Sequence, residues 1–281
     1  MIELLAPAGD MECLKTAFKF GADAVYLGAG GFNARRNAGN FDGDGLKAAV
    51  DYCHARGAHV HVTLNTLVRP DELEALYDTV RLIHESGADA VIVQDCGVAR
   101  AVKRRAPWLQ LHASTQMSVH NLAGVQACAE MGLTRAVLAR ELTYEQIAFI
   151  TKHAPIETEV FVHGALCFAH SGQCYMSSLI GRRSGNRGAC AQPCRMQYNN
   201  KAPLSLKDLS LAAHIPQLID MGVASLKLEG RRKRPEDVAT VTNVYRRVLD
   251  GEPITREMVD ALSAAFNRQG FTDGYYIGQT G

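Results

Sequence analysis

At 281 residues the chain has room for one large domain or two modest ones, and its 47% hydrophobic and 21% charged residues are ordinary for a globular protein. Thirty Lys and Arg against 29 Asp and Glu leave a formal charge of +1, which excludes a broad basic footprint for nucleic acid but allows local patches. No apolar run approaches the roughly 20 residues a bilayer requires, and the opening MIELLAPAGD lacks the basic and apolar regions of a secretory signal. The expectation is a cytoplasmic protein with no membrane partner, whose eight cysteines are thiols or metal ligands rather than disulfides.

In chain order, short apolar strands are expected at Glu3–Ala6, Ala24–Leu27, His59–Leu64, Ala90–Gln94, Gln110–Ala113, Arg135–Ala139, Glu159–Val162 and Ser225–Leu228. Helix-period segments separate them, among others Met11–Phe20, Gly45–Arg56, Pro70–Ser86 and Leu122–Met131. Gly21, Gly57, Gly87, Gly132 and Gly222 each stand just before a strand, where glycine supplies the left-handed residue that ends a helix. Near-continuous apolar strands alternating with helices indicate a parallel sheet covered by helices. Eight of them fit a closed TIM-like (β/α)₈ barrel, with an open doubly wound sheet as the alternative. The rhythm breaks once, between Val162 and Ser225, where a cysteine-rich insert after strand seven is expected, over 163–200 of a single 1–281 domain.

Polar residues collect just after the strands: Asn65, Gln94, Asp95, Ser114 to Gln116, Arg140, Glu141, His163, Glu229 and Arg231. In a barrel these positions fall at the C-terminal mouth, where active sites are built. The alternative for any one of them is a polar marker of a strand end. His163 directly follows the seventh strand and is expected to face the mouth, as a proton carrier or as a hydrogen-bonded structural histidine.

The stretch HGALCFAHSGQCYMSSLIGRRSGNRGACAQPCRMQY places six residues between Cys167 and Cys174, fifteen between Cys174 and Cys190, and three between Cys190 and Cys194. Four thiolates in a glycine-rich segment can hold zinc tetrahedrally or take one iron each of a 4Fe–4S cluster. Zinc sites more often show two tight pairs, and only one pair here is close, so the spacing leaves both open. Cys13, Cys53, Cys96 and Cys128 sit singly and read as small buried hydrophobes. A catalytic cysteine needs a placed base, which His163 could supply, but four clustered cysteines exceed that mechanism's needs.

At this segment the sequence resembles the peptidase U32 family, or collagenase-like proteases: Glu159, Phe161, HGALC, SGQC and Ser177 follow the family signature in order and spacing. The likeness extends through ELLAPAGD, GADAVYLG, LHASTQ, VLARE and SLKLEGR, and so covers nearly the whole chain. It implies a TIM-like barrel. It also implies that Cys167, Cys174, Cys190 and Cys194 hold the 4Fe–4S cluster of members that hydroxylate RNA pyrimidines without oxygen, in tRNA or 23S rRNA, with prephenate as co-substrate and an electron donor as partner. The short connection QYNNKAPLSLKDL is similar to the 23S rRNA cytidine branch, whose longer members continue into further domains; the chain is then a short member or the N-terminal part of a longer one.

For such a reaction the candidates for proton transfer are His163, Glu141 and Glu229, and those for substrate binding are Arg35, Asn65, Gln116, Arg140 and Arg231. A dicarboxylate such as prephenate calls for an arginine fork, whose alternative is a structural ion pair. Arg182, Arg183 and Arg187 are candidates for RNA phosphates, whereas Arg231 to Arg234 read as solvated surface before a helix. Two other readings stand beside the hydroxylase: a peptidase, and a non-catalytic RNA-binding barrel with a structural metal. The oligomeric state is not legible.

Overall fold

The computed structural model describes residues 2–35 and 39–279. Eight parallel strands close into a barrel: β1 (Glu3–Pro7), β2 (Ala24–Gly28), β3 (His59–Leu64), β4 (Ala90–Val93), β5 (Gln110–Ala113), β6 (Arg135–Val137), β7 (Glu157–Gly164) and β9 (Ser225–Leu228), the last pairing with both β1 and β7. Helices α1 (Met11–Lys19), α2 (Gly43–His54), α3 (Leu73–Ser86), α4 (Cys96–Arg105), α5 (Leu122–Glu130), α6 (Tyr144–His153), α8 (Ile215–Asp220) and α9 (Pro235–Leu249) cover it. The expected strands recur within one to two residues at each end. Their helices start at side-chain caps such as Asp10, Asp42, Asp95 and Asn121, which accept first-turn amides. Pro70 opens a separate 3₁₀ turn before α3. The five glycines named above all take positive φ, from 70° to 100°.

Alternation along each strand separates two cores. Outward residues such as Leu4, Val25, Val60, Val91 and Leu111 pack under the helices in one large apolar cluster. Inward, Leu5, Ala24, Tyr26 and Ile92 make only a small second cluster. Much of the rest of the interior is polar or ionic, where branched aliphatic layers are usual. Arg135 donates to Glu3 (2.5 Å) and Glu159 (3.3 Å), Lys227 donates to Glu159 (2.7 Å), and His61 meets His112 edge-on at 4.8 Å.

Two short strands stand outside the barrel. β8 (Asp208–Ser210) lies antiparallel on the end of β7, and β10 (Phe271–Thr272), which follows α10 (Arg256–Ala265), runs parallel to β8. Residues 165–207 join β7 to β8 and contain α7 (Met176–Gly181). No helix among the described residues is long and apolar enough to cross a membrane.

A candidate active site at the barrel mouth

A cavity of about 190 Å³ opens over the C-terminal ends of the strands. Its floor is the uppermost inward layer: Tyr26, Thr63, Ile92, Val137, Phe161 and Lys227. Its roof is segment 165–207, which brings Cys167, Cys174, Cys190 and Cys194 to the same space. Arg35, Arg140, Arg195, Arg231, Arg232 and Arg268 also line it, against one carboxylate, Glu229.

The segment is short of regular structure, so polar anchors hold it. Arg187 donates to the Leu67 carbonyl (2.8 Å) and forks onto Glu72. Arg195 donates to the carbonyls of Leu166 and Leu206, both at 2.6 Å, and to Ser205 Oγ. Glu141 accepts from the Ser171 amide (2.7 Å) and hydroxyl (3.2 Å). Ser171, Arg182 and Gln192 are non-glycine residues at φ of 49°, 52° and 58°, a left-handed conformation that clusters at functional sites. Backbone amides turn toward the sulfurs: Met176 donates to Cys174 Sγ (3.4 Å) and Gln192 to Cys190 Sγ (3.3 Å). No imidazole hydrogen-bonds any of the four sulfurs among the described residues, where the one trio of ligand-type side chains within 4.8 Å is His61, His112 and Glu159.

Six predicted residues meet in the cavity wall. Arg35 pairs with Glu229 at 3.1 Å; burial pushes the Glu229 carboxyl up, but Arg35 and Arg140 outweigh it and hold it below the ordinary value. Arg140 donates to the Ala165 carbonyl, lies 5.2 Å from the Phe161 ring, and leaves its buried Nε without a partner. Gln116 likewise has an unpartnered buried Oε1, and Asn65 accepts from the Ala34 amide. Arg231 is no solvated cation. It is buried, donates to Thr63 Oγ1 (3.0 Å) and Asn33 Oδ1 (3.1 Å), and burial brings it down to about 10. Gly28 makes room for it, since a Cβ there would stand 2.6 Å from its Nη1. Of its neighbours, Arg232 and Arg234 are exposed, while Lys233 lies over Phe266.

Four expectations are corrected. His163 does not face the mouth. A bulge between Phe161 and His163 shifts the alternation by one residue, so Phe161 faces inward opposite Lys227 while His163 turns outward opposite Leu228. There it is buried against Tyr245 and Phe271 and, with Lys233 and Thr242, lines a separate small pocket; burial brings it down to about 4. Glu141 is not a cavity residue but the brace of the Ser171 turn, and Arg187 is consumed by Glu72. Cys13, Cys53 and Cys128 are buried as expected, whereas Cys96 is exposed at the start of α4.

Sequence reasoning missed Lys227, whose amine sits 4.5 Å from the Tyr26 ring centroid and 5.5 Å from that of Phe161, and it missed Arg195 and Arg268. A lysine inside an otherwise apolar strand, SLKL, was the available signal for the first. It also missed Asp208, a buried carboxyl with both oxygens unpartnered, which burial pushes up.

A parallel barrel with cysteines and cations gathered over its strand ends defines a TIM-barrel protein whose reactive groups sit at the C-terminal mouth. The profile of Peptidase family U32 matches residues 9–281, and the chain belongs to that family. It is 40% identical over 99% of its length to a 23S rRNA 5-hydroxycytidine synthase of Escherichia coli, of which it spans 43%. It is 38% identical over 95% of its length to a tRNA hydroxylation protein of Bacillus subtilis, spanning 69% of it, and 34% identical over 99% to a collagenase of Porphyromonas gingivalis, spanning 74%. Among solved structures, a U32 peptidase aligns with a TM-score of 0.56 at 14% identity, over 82% of this chain and 94% of the other, a likeness of fold.

Proposed function

We propose that the chain hydroxylates a pyrimidine of ribosomal or transfer RNA in the cytoplasm, independently of oxygen, with a 4Fe–4S cluster held by Cys167, Cys174, Cys190 and Cys194. The observation that carries this reading is the convergence of four cysteines and a surplus of cationic side chains on one cavity. The names of the Escherichia coli and Bacillus subtilis relatives support the substrate class.

The donor set fits the cluster. Tetrahedral zinc would draw four sulfurs to about 3.8 Å of one another. No three of these are within 4.8 Å, a looser arrangement that suits a larger object. The amides of Met176 and Gln192 offer the hydrogen bonds that tune cluster sulfurs. When bound, the cluster would supply one-electron chemistry, fed by an external donor. The protein's own groups do the rest. Arg35, Arg140 and Arg268 offer guanidinium forks to an anionic co-substrate such as prephenate. Glu229, ionised and held by Arg35, is placed to orient that arginine or to accept a proton at a carboxylate oxygen. The floor rings Tyr26 and Phe161 exclude water beneath.

Mass spectrometry of RNA nucleosides from a deletion strain tests this. A hydroxylated pyrimidine should disappear, return with the wild-type gene, and stay absent with Cys194→Ala. An unchanged RNA profile would contradict the reading.

The collagenase relative favours a peptidase as second reading. A cysteine peptidase requires a base on its thiol, and His163, the base that the sequence offered, faces away from the cavity. A barrel with a purely structural metal would unfold its segment on Cys190→Ala, where the redox reading requires lost activity in an intact barrel.

A further inference from the structure

The cysteine segment carries an outer edge that the chemistry above does not use. Among the described residues fifteen large hydrophobic side chains are exposed, and six of them, Phe168, Tyr175, Leu179, Ile180, Met196 and Tyr198, fall within positions 168–198. Leu179, at the tip of α7, is the barest at 83% exposed, and its neighbour Ile180 is 65% exposed. Consecutive helix residues diverge by about 100°, so the pair forms a blunt apolar edge. The edge is held firmly. Ser178 Oγ donates to the Arg183 carbonyl (3.3 Å), the Ala191 amide donates to Ser177 Oγ (2.9 Å), and Arg183 Nε donates to the Ala189 carbonyl (3.1 Å). After Gly181 come Arg182 and Arg183, exposed and without an ion pair among the described residues. Met176, at the start of the same helix, lines the cavity, about 6 Å along the axis from Ile180 at ~1.5 Å per residue.

An aliphatic pair followed by two unpaired cations suits a nucleic acid better than a protein. Aliphatic wedges enter between stacked bases, and arginines take the flanking phosphates. A base buried in a stack cannot reach a cavity at a barrel mouth, so chemistry on it requires that it be turned out. We propose that Leu179 and Ile180 are a wedge that enters the RNA stack beside the target pyrimidine and holds that base turned into the cavity, with Arg182 and Arg183 on the neighbouring phosphates. This rests on the RNA-hydroxylase reading and extends it to how the base arrives.

The test titrates anaerobically prepared protein into a hairpin RNA with an unpaired pyrimidine loop carrying 2-aminopurine beside one loop pyrimidine. Wild type should bind and raise the 2-aminopurine fluorescence as stacking is lost. Leu179→Ser with Ile180→Ser, both at exposed positions, should keep the native circular dichroism, abolish the rise and weaken binding about tenfold, as loss of a base contact does. Leu179→Phe should keep both signals. Arg182→Gln with Arg183→Gln should lower the slope of log affinity against log salt by roughly 1.4, at about 0.7 per phosphate contact. A double serine variant that binds as tightly and unstacks as fully as wild type would overturn the wedge and leave the edge to a protein partner. Wild type that binds no RNA would overturn the reading beneath it, a distinct result.

Discussion

Glu159 and Glu229 stand on either side of the barrel layer that holds Phe161 and Lys227, and their surroundings differ in kind. Glu159 has no exposure and is closed in by Lys227 and Arg135; burial pushes its carboxyl up, yet the two cations hold it below the ordinary value. Glu229 faces a void, and its partner Arg35 is 42% exposed. Below, the charges are matched and sealed. Above, cations outnumber the carboxylate, and polar atoms such as Arg140 Nε and Gln116 Oε1 lack partners. Matched buried charge is architecture, and unmatched charge around a cavity is a site awaiting a ligand.

The largest effect separating the layers belongs to Glu159→Ala. It strands Lys227 and Arg135 in the interior and should cost about 3–5 kcal/mol in urea unfolding. Glu229→Ala, beside the open cavity, should cost about 1 kcal/mol or less while abolishing activity, because the freed Arg35 can turn to water. Equal losses in the two variants would erase the distinction.

Acid should attack the sealed regions first. His61 and His163 are both brought down to about 4, chiefly by burial, and His112 lies lower than its ordinary value for the same reason. Below the unfolded value near 6.5 the unfolded chain binds protons that the folded one refuses, so stability falls as pH drops from about 6.5 to 4, by roughly 3 kcal/mol for each of His61 and His163. Urea midpoints across this range check the prediction, and a flat profile would contradict it. His61→Phe should remove part of the slope.

Arg187→Ala releases the cysteine segment from Glu72 and Leu67. Global stability should fall by about 1 kcal/mol or less, while proteolysis within 165–207 should accelerate, since local opening draws on the weakest contacts. The smallest stability change is expected for Cys190→Ala: the residue is exposed, so unfolding should move by about 0.5 kcal/mol or less.

Much of this was legible in the sequence, and the failures have physical causes. Strands and glycine-capped helices were readable because burial under helices imposes apolar runs and helix exits require positive φ. The four cysteines stood out by their clustering in one glycine-rich segment, and the six wall residues by their positions after strands. His163 was misjudged because a bulge is a property of pairing and leaves no local mark. The reading of Arg231 to Arg234 as solvated surface failed at Arg231, also a strand-end candidate, because its partners, Thr63 and Asn33, are distant in sequence. β8 and β10, at three and two residues, are too short to impose a pattern. The ionic interior escaped because Glu3, Arg135, Glu159 and Lys227 each look like an isolated polar residue in an apolar strand.

We propose that the cavity at the mouth, unlike the ionic layer beneath it, holds an iron–sulfur cluster. Iron, sulfide and zinc analysis of anaerobically prepared wild type, beside Cys190→Ala and Glu159→Gln, tests it most directly. The account predicts brown wild-type protein with about four iron and four sulfide per chain, loss of both in folded Cys190→Ala, and retention in whatever Glu159→Gln folds. Colourless wild type with one zinc per chain would contradict it.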